Sequence, residues 1–303
     1  MKQRQRLLSE LNLMDNFLFS VVMSHEVYGP RTAQIILSTI IGREVQIRKL
    51  HAEKIIFPSD TDRHGIRLDA YVEEGQTDVS PGDIFDIEPE NKRREKGLLP
   101  NRSRYYHSRM DGKIQEAGES YDKLPNTWVI FITSFDPFTE GRMVYTIRNR
   151  CIEIPDLEYD DGATTLFLNV TGKSAEVSQD LKELLAYMRD TTHAKAVNPG
   201  LKEIQEGIDQ IKTEPSVREA YMTLGDYIRA EREEAAAEAV EEVMAEAEKA
   251  KVRAEKAEIN ANKAEARANE AEVRANEADV RANKAEAEIE KLRAELKKYK
   301  ESV

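Results

Sequence analysis

The chain has 303 residues, of which 40% are hydrophobic and 34% charged, and its formal net charge is −12 at pH 7. This length exceeds one ordinary domain, and the acidic balance argues against a dedicated nucleic-acid coat while leaving room for a local basic patch. The single cysteine, Cys151, excludes a disulfide framework and a cysteine zinc site. No apolar run reaches the roughly 18–20 residues that span a bilayer. We therefore expect a soluble cytoplasmic protein with no membrane partner.

Residues 1–228 predict one mixed α/β domain. Apolar spacing predicts helices at 11–23, 33–41, 102–119, 179–189, 201–211 and 216–230. Strands are predicted near 53–58, 66–73, 83–90, 128–133, 144–148, 151–154 and 165–170. The segment from Trp128 to Thr133 is a continuous apolar run, which is typical of a central, buried strand.

Residues 229–303 form a second region with a different composition. They contain no proline or glycine, alanine and glutamate dominate, and the seven-residue repeat is visible at Arg267, Arg274 and Arg281. These residues are strong helix formers, and Glu270–Arg274 and Glu277–Arg281 have the favourable i,i+4 order. A continuous helix of this length would extend about 110 Å at 1.5 Å per residue.

Two interpretations of this helix stay open. Two apolar seams have alternating three- and four-residue spacing, as in a coiled coil. One seam is Ala261, Ala268, Ala275, Ala282, Ile289 and Leu296, and the other is Ala264, Ala271, Ala278, Ala285, Leu292 and Tyr299. Alanine seams bury little area, so the region is either a homo-oligomerising coiled coil, strongest near its end, or a solitary charged helix.

Acidic residues are concentrated in two predicted neighbouring strands. Alternation places Leu68, Ala70 and Val72 on one face of the first strand and Asp69 on the other. In the second strand, Asp86, Glu88 and Glu90 share a face. Gly75 and Pro81-Gly82 between the strands favour an antiparallel connection, which would bring four carboxylates together. Their mutual repulsion predicts a bound divalent cation, the means by which many nucleases activate water.

The order of these segments resembles the PD-(D/E)XK nuclease superfamily, specifically its recombination-promoting nuclease or putative transposase group. The resemblance covers roughly residues 10–230 and excludes the tail. Its segments are Asn12-Leu-Met-Asp15-Asn-Phe-Leu-Phe19, Arg67-Leu68-Asp69, Phe85-Asp86-Ile87-Glu88-Pro89-Glu90, Pro100-Asn-Arg102-Ser-Arg104-Tyr105-Tyr106-His107 with Gly118-Glu-Ser-Tyr121, and Val129-Ile-Phe-Ile132 with Phe135-Asp136-Pro137-Phe138. It implies a mixed-sheet, restriction-endonuclease-like core flanked by helices.

The resemblance also implies site residues. Asp69 and Glu88 would ligate Mg²⁺ or Mn²⁺ together with the Pro89 carbonyl. Glu90 stands where the superfamily has lysine and this group often has glutamine. A carboxylate there acts as general base or third ligand, or Lys92 reaches back to replace the missing ammonium, or the site is degenerate.

Two further aspartates are considered in the same way. The superfamily often places an acid on its first helix, so Asp15 is a tentative metal ligand, and a helix N-cap is the alternative role. Asp86 is expected at the edge of its strand, with local hydrogen bonds.

A basic stretch follows the acidic strand and is a candidate phosphate-binding surface. Its predicted nucleic-acid contacts are Arg93, Arg94, Arg102, Arg104, Tyr105 and His107. A tyrosine here can stack on a base or pack in the core, and the whole stretch can also be a solvated helix face.

The residues and the resemblance together predict a Mg²⁺-dependent DNA endonuclease, linked by its family label to recombination or mobile elements. One alternative is a catalytically degenerate DNA-binding or scaffold protein that assembles through its C-terminal helix. Another is a nuclease for RNA or branched structures, because nothing in the sequence indicates recognition of base edges or 2′-hydroxyls.

Overall fold

The structure is a computed structural model that describes residues 6–56, 66–75, 82–92, 98–114, 120–173 and 176–301. The chain divides into two compact units, Met1–Gly225 and Asp226–Val303. In the described part of the chain, no helix combines the length and apolar character needed to cross a membrane. The predicted connection at 76–81 lies outside the described residues, as do Arg93 and Arg94.

The first unit is built on a six-stranded sheet of order β1-β2-β3-β4-β6-β5. Its strands are β1 (Ile47–Ile56), β2 (Ile66–Glu74), β3 (Ile84–Glu90), β4 (Thr127–Thr133), β5 (Val144–Ile147) and β6 (Ala163–Asn169). The helices of the chain are α1 (Asn16–Ser24), α2 (Gly29–Ile41), α3 (Leu98–Ile114), α4 (Gln179–Arg189), α5 (Pro199–Thr213) and α6 (Pro215–Glu301), with short 3-10 turns at Leu8–Glu10 and Tyr121–Lys123.

The sheet is mixed, and this confirms the predicted α/β class. Strands β1, β2 and β3 pair antiparallel, β3, β4 and β6 pair parallel, and β5 adds an antiparallel edge. Parallel neighbours need a crossover connection, and α3 supplies it between β3 and β4. The acidic strand β3 therefore lies inside the sheet, and it is buried along its whole length.

Each face of the sheet has its own hydrophobic core. The larger core includes Leu18, Ile36, Ile87, Leu185 and Ile208, from α1, α2, β3, α4 and α5. The smaller core lies between the sheet and α3. Its buried members are Leu68, Tyr71, Ile84, Leu99, Tyr106, Met110, Val129, Phe131 and Phe167. Helix α3 covers this face of the sheet, and from there its side chains reach the acidic residues of β3.

Two predictions about strands are wrong. Leu68 packs in the core beneath α3, whereas Ala70 and Val72 pack in the other core, so the predicted alternation fails between Leu68 and Ala70. The segment 151–154 is not a strand but an irregular stretch with bends that follows β5. Ile152 and Ile154 are instead 81% and 58% exposed.

The second unit consists of helix α6 from Asp226 onward. The predicted ion pairs form, with Arg274 3.6 Å from Glu270 and Arg281 3.4 Å from Glu277. All four side chains are well exposed, so these pairs contribute little to stability. The long C-terminal helix is thereby confirmed.

Candidate functional site

The acidic residues of β2 and β3 meet where the β-ladder is irregular. The β1–β2 ladder passes from the pair Ala52–Ala70 to the pair Lys54–Leu68, and the described residues Glu53 and Asp69 between them are not paired. Glu53 has a positive φ of 52°, a conformation that an L-residue adopts only under strain. Irregularities of this kind often occur beside functional sites, where they redirect a side chain.

At this irregularity, the backbone N–H of Asp69 is available to a side chain of β3. The β2–β3 ladder ends at Ala70–Ile87, and the Asp69 N–H donates instead to Glu88 Oε1 at 2.9 Å. Asp69 is half-buried, and burial raises the pKa of its carboxyl group, with Arg102 and Arg67 acting in the opposite direction. Asp69 and Glu88, the two predicted metal ligands, are therefore adjacent.

Glu88 is a deeply buried candidate ligand, and its carboxylate is hydrogen-bonded. Its side chain is 1% exposed, and burial, followed by the charge of Asp69, raises its pKa to about 8. Its second oxygen, Oε2, accepts a hydrogen bond from Arg102 Nη2. Both carboxylate oxygens of Glu88 are thus used within the protein.

Asp86 corrects the expectation of a strand-edge residue with local hydrogen bonds. It is fully buried, and neither carboxylate oxygen has a hydrogen-bond partner. Burial, and then the charges of Glu88 and Asp69, raise the pKa of Asp86 well above its ordinary value. Asp86 and Glu88 can share a hydrogen bond only when one of the two carboxyl groups carries a proton. When both are ionised, they repel each other. Such an unsatisfied buried carboxylate opposes folding and indicates a functional constraint.

Asp86→Asn should therefore stabilise the metal-free protein by about 1–3 kcal/mol at pH 8, because the neutral amide avoids the cost of either burying the charge or protonating the carboxyl group. The measurement is urea unfolding in EDTA. Asp83 on the adjoining turn is the matched control, since its buried carboxylate accepts from Arg43, Asn126 and Trp128 at 2.9, 3.0 and 3.1 Å. Asp83→Asn should destabilise the protein. If both variants change the free energy of unfolding in the same direction, the result would contradict this account of Asp86.

Glu90 and Lys92 are close to Glu88 but differ in exposure. Glu90 is buried, its Oε2 accepts from Arg102 Nη1 at 2.9 Å, and its Oε1 accepts from the Lys92 backbone N–H at 3.1 Å. The Lys92 side chain is exposed. In this arrangement Glu90 helps to hold an arginine.

Asp15 has a different set of partners. Its carboxylate accepts from Arg6 Nη1 at 2.9 and 3.0 Å and from the Asn12 backbone N–H at 2.9 Å. It occupies the N-cap position of α1 without a side-chain capping bond. Among the described residues, no hydrogen bond or ion pair joins Asp15 to Asp69 or Glu88.

The predicted nucleic-acid contacts on α3 separate into inward and outward side chains. Arg102 points to the acids and to Tyr106 in the core, whereas Arg104 and Tyr105 are exposed. His107 lies in the interior, with Nδ1 2.8 Å from Thr127 Oγ1 and Nε2 3.0 Å from Thr165 Oγ1. Burial lowers the pKa of His107 to about 4, so it is neutral at pH 7. This geometry favours a structural role for His107.

A second charged cluster was not predicted from the sequence. Arg48 and Lys49 of β1 contact the Glu73 carboxylate at 2.6 and 3.3 Å, and Lys54 is 3.8 Å from it. Lys54 Nζ also lies 3.2 Å from the Tyr71 ring centroid, and burial lowers its pKa to about 8. The only sequence signal is the basic composition of β1. The cluster carries more positive than negative charge.

In the described part of the chain, no set of three or more His, Cys, Asp or Glu side chains is already arranged to hold a metal ion. Mg²⁺ differs from cations that need a full protein cage, because it retains several waters and takes one or two carboxylates. Asp69 and Glu88 are therefore ligands of a suitable chemical type, and two carboxylates are enough for Mg²⁺. Asp86 adds a carboxylate without a hydrogen-bond partner beside them.

The fold and site together define an α/β protein with a mixed sheet and a buried carboxylate cluster on its inner strands. No family model, curated protein or solved structure matches the chain.

Proposed function

We propose that the protein is a metal-dependent DNA endonuclease of the PD-(D/E)XK type, with a restriction-endonuclease-like core. The observation that carries the proposal is the cluster of Asp69, Asp86 and Glu88, whose pKa values are all raised. Grouped carboxylates of this kind oppose folding unless a cation or proton offsets them, and perturbed pKa values concentrate at functional sites.

Asp69 and Glu88 would hold Mg²⁺ or Mn²⁺, together with the Pro89 carbonyl. When bound, such an ion polarises a phosphodiester and lowers the pKa of water. Arg102 keeps Glu88 and Glu90 oriented, and the smaller hydrophobic core under α3 excludes water from the rear of the site. Burial strengthens the electrostatic effect of each of these groups.

DNA would be bound by exposed basic side chains around the acids. Lys92 and Arg104 are exposed close to β3 and on α3. Arg48 and Lys49, the exposed members of the β1 cluster, add positive charge on the strand next to β2. Phosphate contacts of this kind give affinity without sequence specificity.

One observation favours the alternative of a catalytically degenerate DNA-binding or scaffold protein. Arg102 already neutralises Glu88 and Glu90, as a permanent structural ion pair would. In that case the carboxylates maintain the fold, and the protein acts through binding or assembly.

Cleavage of supercoiled plasmid distinguishes the two functions. The full chain should nick DNA with Mg²⁺ or Mn²⁺ and not with EDTA, and Asp69→Asn should abolish the activity. Glu203→Gln is the control, because Glu203 pairs with Arg31 on the opposite side of the sheet. No cleavage with either ion, or equal cleavage by Asp69→Asn, would contradict the proposal. Linear RNA and branched DNA, tested in parallel, identify the preferred substrate.

The tail is proposed to associate with a second copy of itself as a coiled coil. Near its end, Ile289, Leu292 and Leu296 are 48%, 59% and 60% exposed on the single chain, and burying such side chains is the usual driving force for helix pairing. Sedimentation equilibrium should give an oligomer for the full chain. A double variant, Leu292→Glu with Leu296→Glu, and a truncation after Ala230 should both give monomers. A monomeric full chain would indicate a solitary helix.

A further inference from the structure

Arg102 is bound through all three guanidinium nitrogens. Nη1 donates to Glu90 at 2.9 Å, Nη2 donates to Glu88, and Nε donates to the Tyr106 hydroxyl at 2.7 Å. The guanidinium carbon also lies 5.3 Å from the ring centroid of Phe131. The planar group is therefore held in one orientation between α3 and β3, where it can bridge two carboxylates.

Glu88 has no unused oxygen in this arrangement. Oε1 accepts from the Asp69 N–H at 2.9 Å, and Oε2 accepts from Arg102. Each oxygen keeps a second lone pair for a cation, but the contact with Arg102 places a positive charge directly beside the ligand oxygen. The Asp69 N–H is part of the β2 backbone, whereas Arg102 ends a long side chain with several rotatable bonds. Arg102 is therefore the partner that can move.

Electrostatic repulsion also favours the release of Glu88 by Arg102 when a cation binds. The carboxylates of Asp69, Asp86, Glu88 and Glu90 lie around Arg102, the guanidinium that pairs with two of them. A divalent ion at Glu88 adds two positive charges next to the guanidinium. Like charges a few ångströms apart repel by several kcal/mol at an effective dielectric constant near 20.

We propose that Arg102 is a built-in counter-ion that binds Glu88 in the metal-free protein and competes with the divalent cation for it, so that metal binding leaves Arg102 on Glu90 alone. The inference rests on the proposed metal site at Asp69 and Glu88. Arg102 thereby keeps the acid cluster folded before loading and sets the metal concentration at which loading occurs.

Isothermal titration of the full chain with MgCl₂ tests the competition. At pH 8.5, above the pKa of about 8 for Glu88, the ionised form of its carboxyl group predominates. Arg102→Gln should lower the Mg²⁺ dissociation constant by about tenfold, because it removes one like charge from beside the ligand oxygen. Lys113→Gln removes the same charge from the far end of α3 and should stay within about twofold of wild type.

Two further variants locate the effect and protect the test against misfolding. Adding Glu88→Gln to Arg102→Gln should abolish the gain in affinity. Tyr106→Phe keeps every charge but removes the acceptor that fixes Arg102 Nε, so it should tighten Mg²⁺ binding by about twofold to threefold. In thermal unfolding, Arg102→Gln should melt lower in EDTA and gain more from Mg²⁺ than wild type does.

The outcomes separate this inference from the proposed function. Tighter Mg²⁺ binding by Arg102→Gln supports the inference even if the wild type does not cleave DNA. Unchanged or weaker binding overturns it, and DNA cleavage by the wild type would then still support the nuclease. Absence of Mg²⁺ binding in every variant overturns the inference and contradicts the metal site.

Discussion

Glu88→Gln should lower Mg²⁺-dependent cleavage of DNA by about a thousandfold or more, whereas Glu90→Gln should stay within about tenfold of wild type. Glu88 would be a metal ligand, and its amide replacement loses the charge that holds the ion. Glu90 contacts Arg102 and the Lys92 backbone N–H, at 2.9 and 3.1 Å. Glutamine can keep the contact with Arg102 through its carbonyl oxygen.

Initial rates of plasmid nicking at saturating Mg²⁺ measure both effects. The circular dichroism spectra and melting temperatures of the variants establish that any loss is not due to unfolding. A Glu90→Gln variant as inactive as Glu88→Gln would show that Glu90 is a general base or a third ligand. Lys92→Met tests the remaining possibility, in which the exposed lysine supplies the missing ammonium.

Metal-free protein should lose stability as the pH rises from about 5 to 8.5. The folded-state pKa of Glu88 is about 8, above its ordinary 4.5. The folded state therefore binds more protons than the unfolded state, and the stabilisation present below the unfolded pKa is lost as pH passes the folded one. Asp69 and Asp86 shift in the same direction. At 1.36 kcal/mol for each pKa unit, the expected loss is on the order of 3–5 kcal/mol.

Urea unfolding in EDTA between pH 5.5 and 9 measures this loss. Glu88→Gln should reduce the slope of the profile, and Mg²⁺ should restore stability at pH 8.5 because it binds the ionised carboxylates. His107, whose folded pKa is about 4, acts oppositely and destabilises the protein only as the pH falls below its unfolded value of 6.5. A profile of equal slope in Glu88→Gln would show that another group causes the pH dependence.

Much of the fold follows from patterns that depend on local chemistry. The apolar run from Trp128 to Thr133 predicted an inner strand, and β4 lies between β3 and β6. The alanine-rich heptads predicted the long helix α6. The acids of β2 and β3 were expected to meet because strands joined by a short connection usually pair, and β2 pairs with β3.

The parts that failed depend on contacts between distant segments. The reversal of Leu68 accompanies strain at Glu53 on a different strand, which no alternation within β2 can reveal. The sequence also did not predict the burial of Asp86, because aspartate is rarely buried without a partner. Arg102 and Arg104 are chemically identical and two residues apart, so only the docking of α3 on the sheet determines which one turns toward Glu88.

A crystal structure of the full chain grown with saturating MnCl₂ tests the central claim most directly. The account predicts an anomalous peak within about 2.0–2.3 Å of carboxylate oxygens of both Asp69 and Glu88, with the Arg102 guanidinium bound to Glu90 and no longer to Glu88. A structure without Mn²⁺ at these acids, in which Arg102 still binds Glu88, would contradict it.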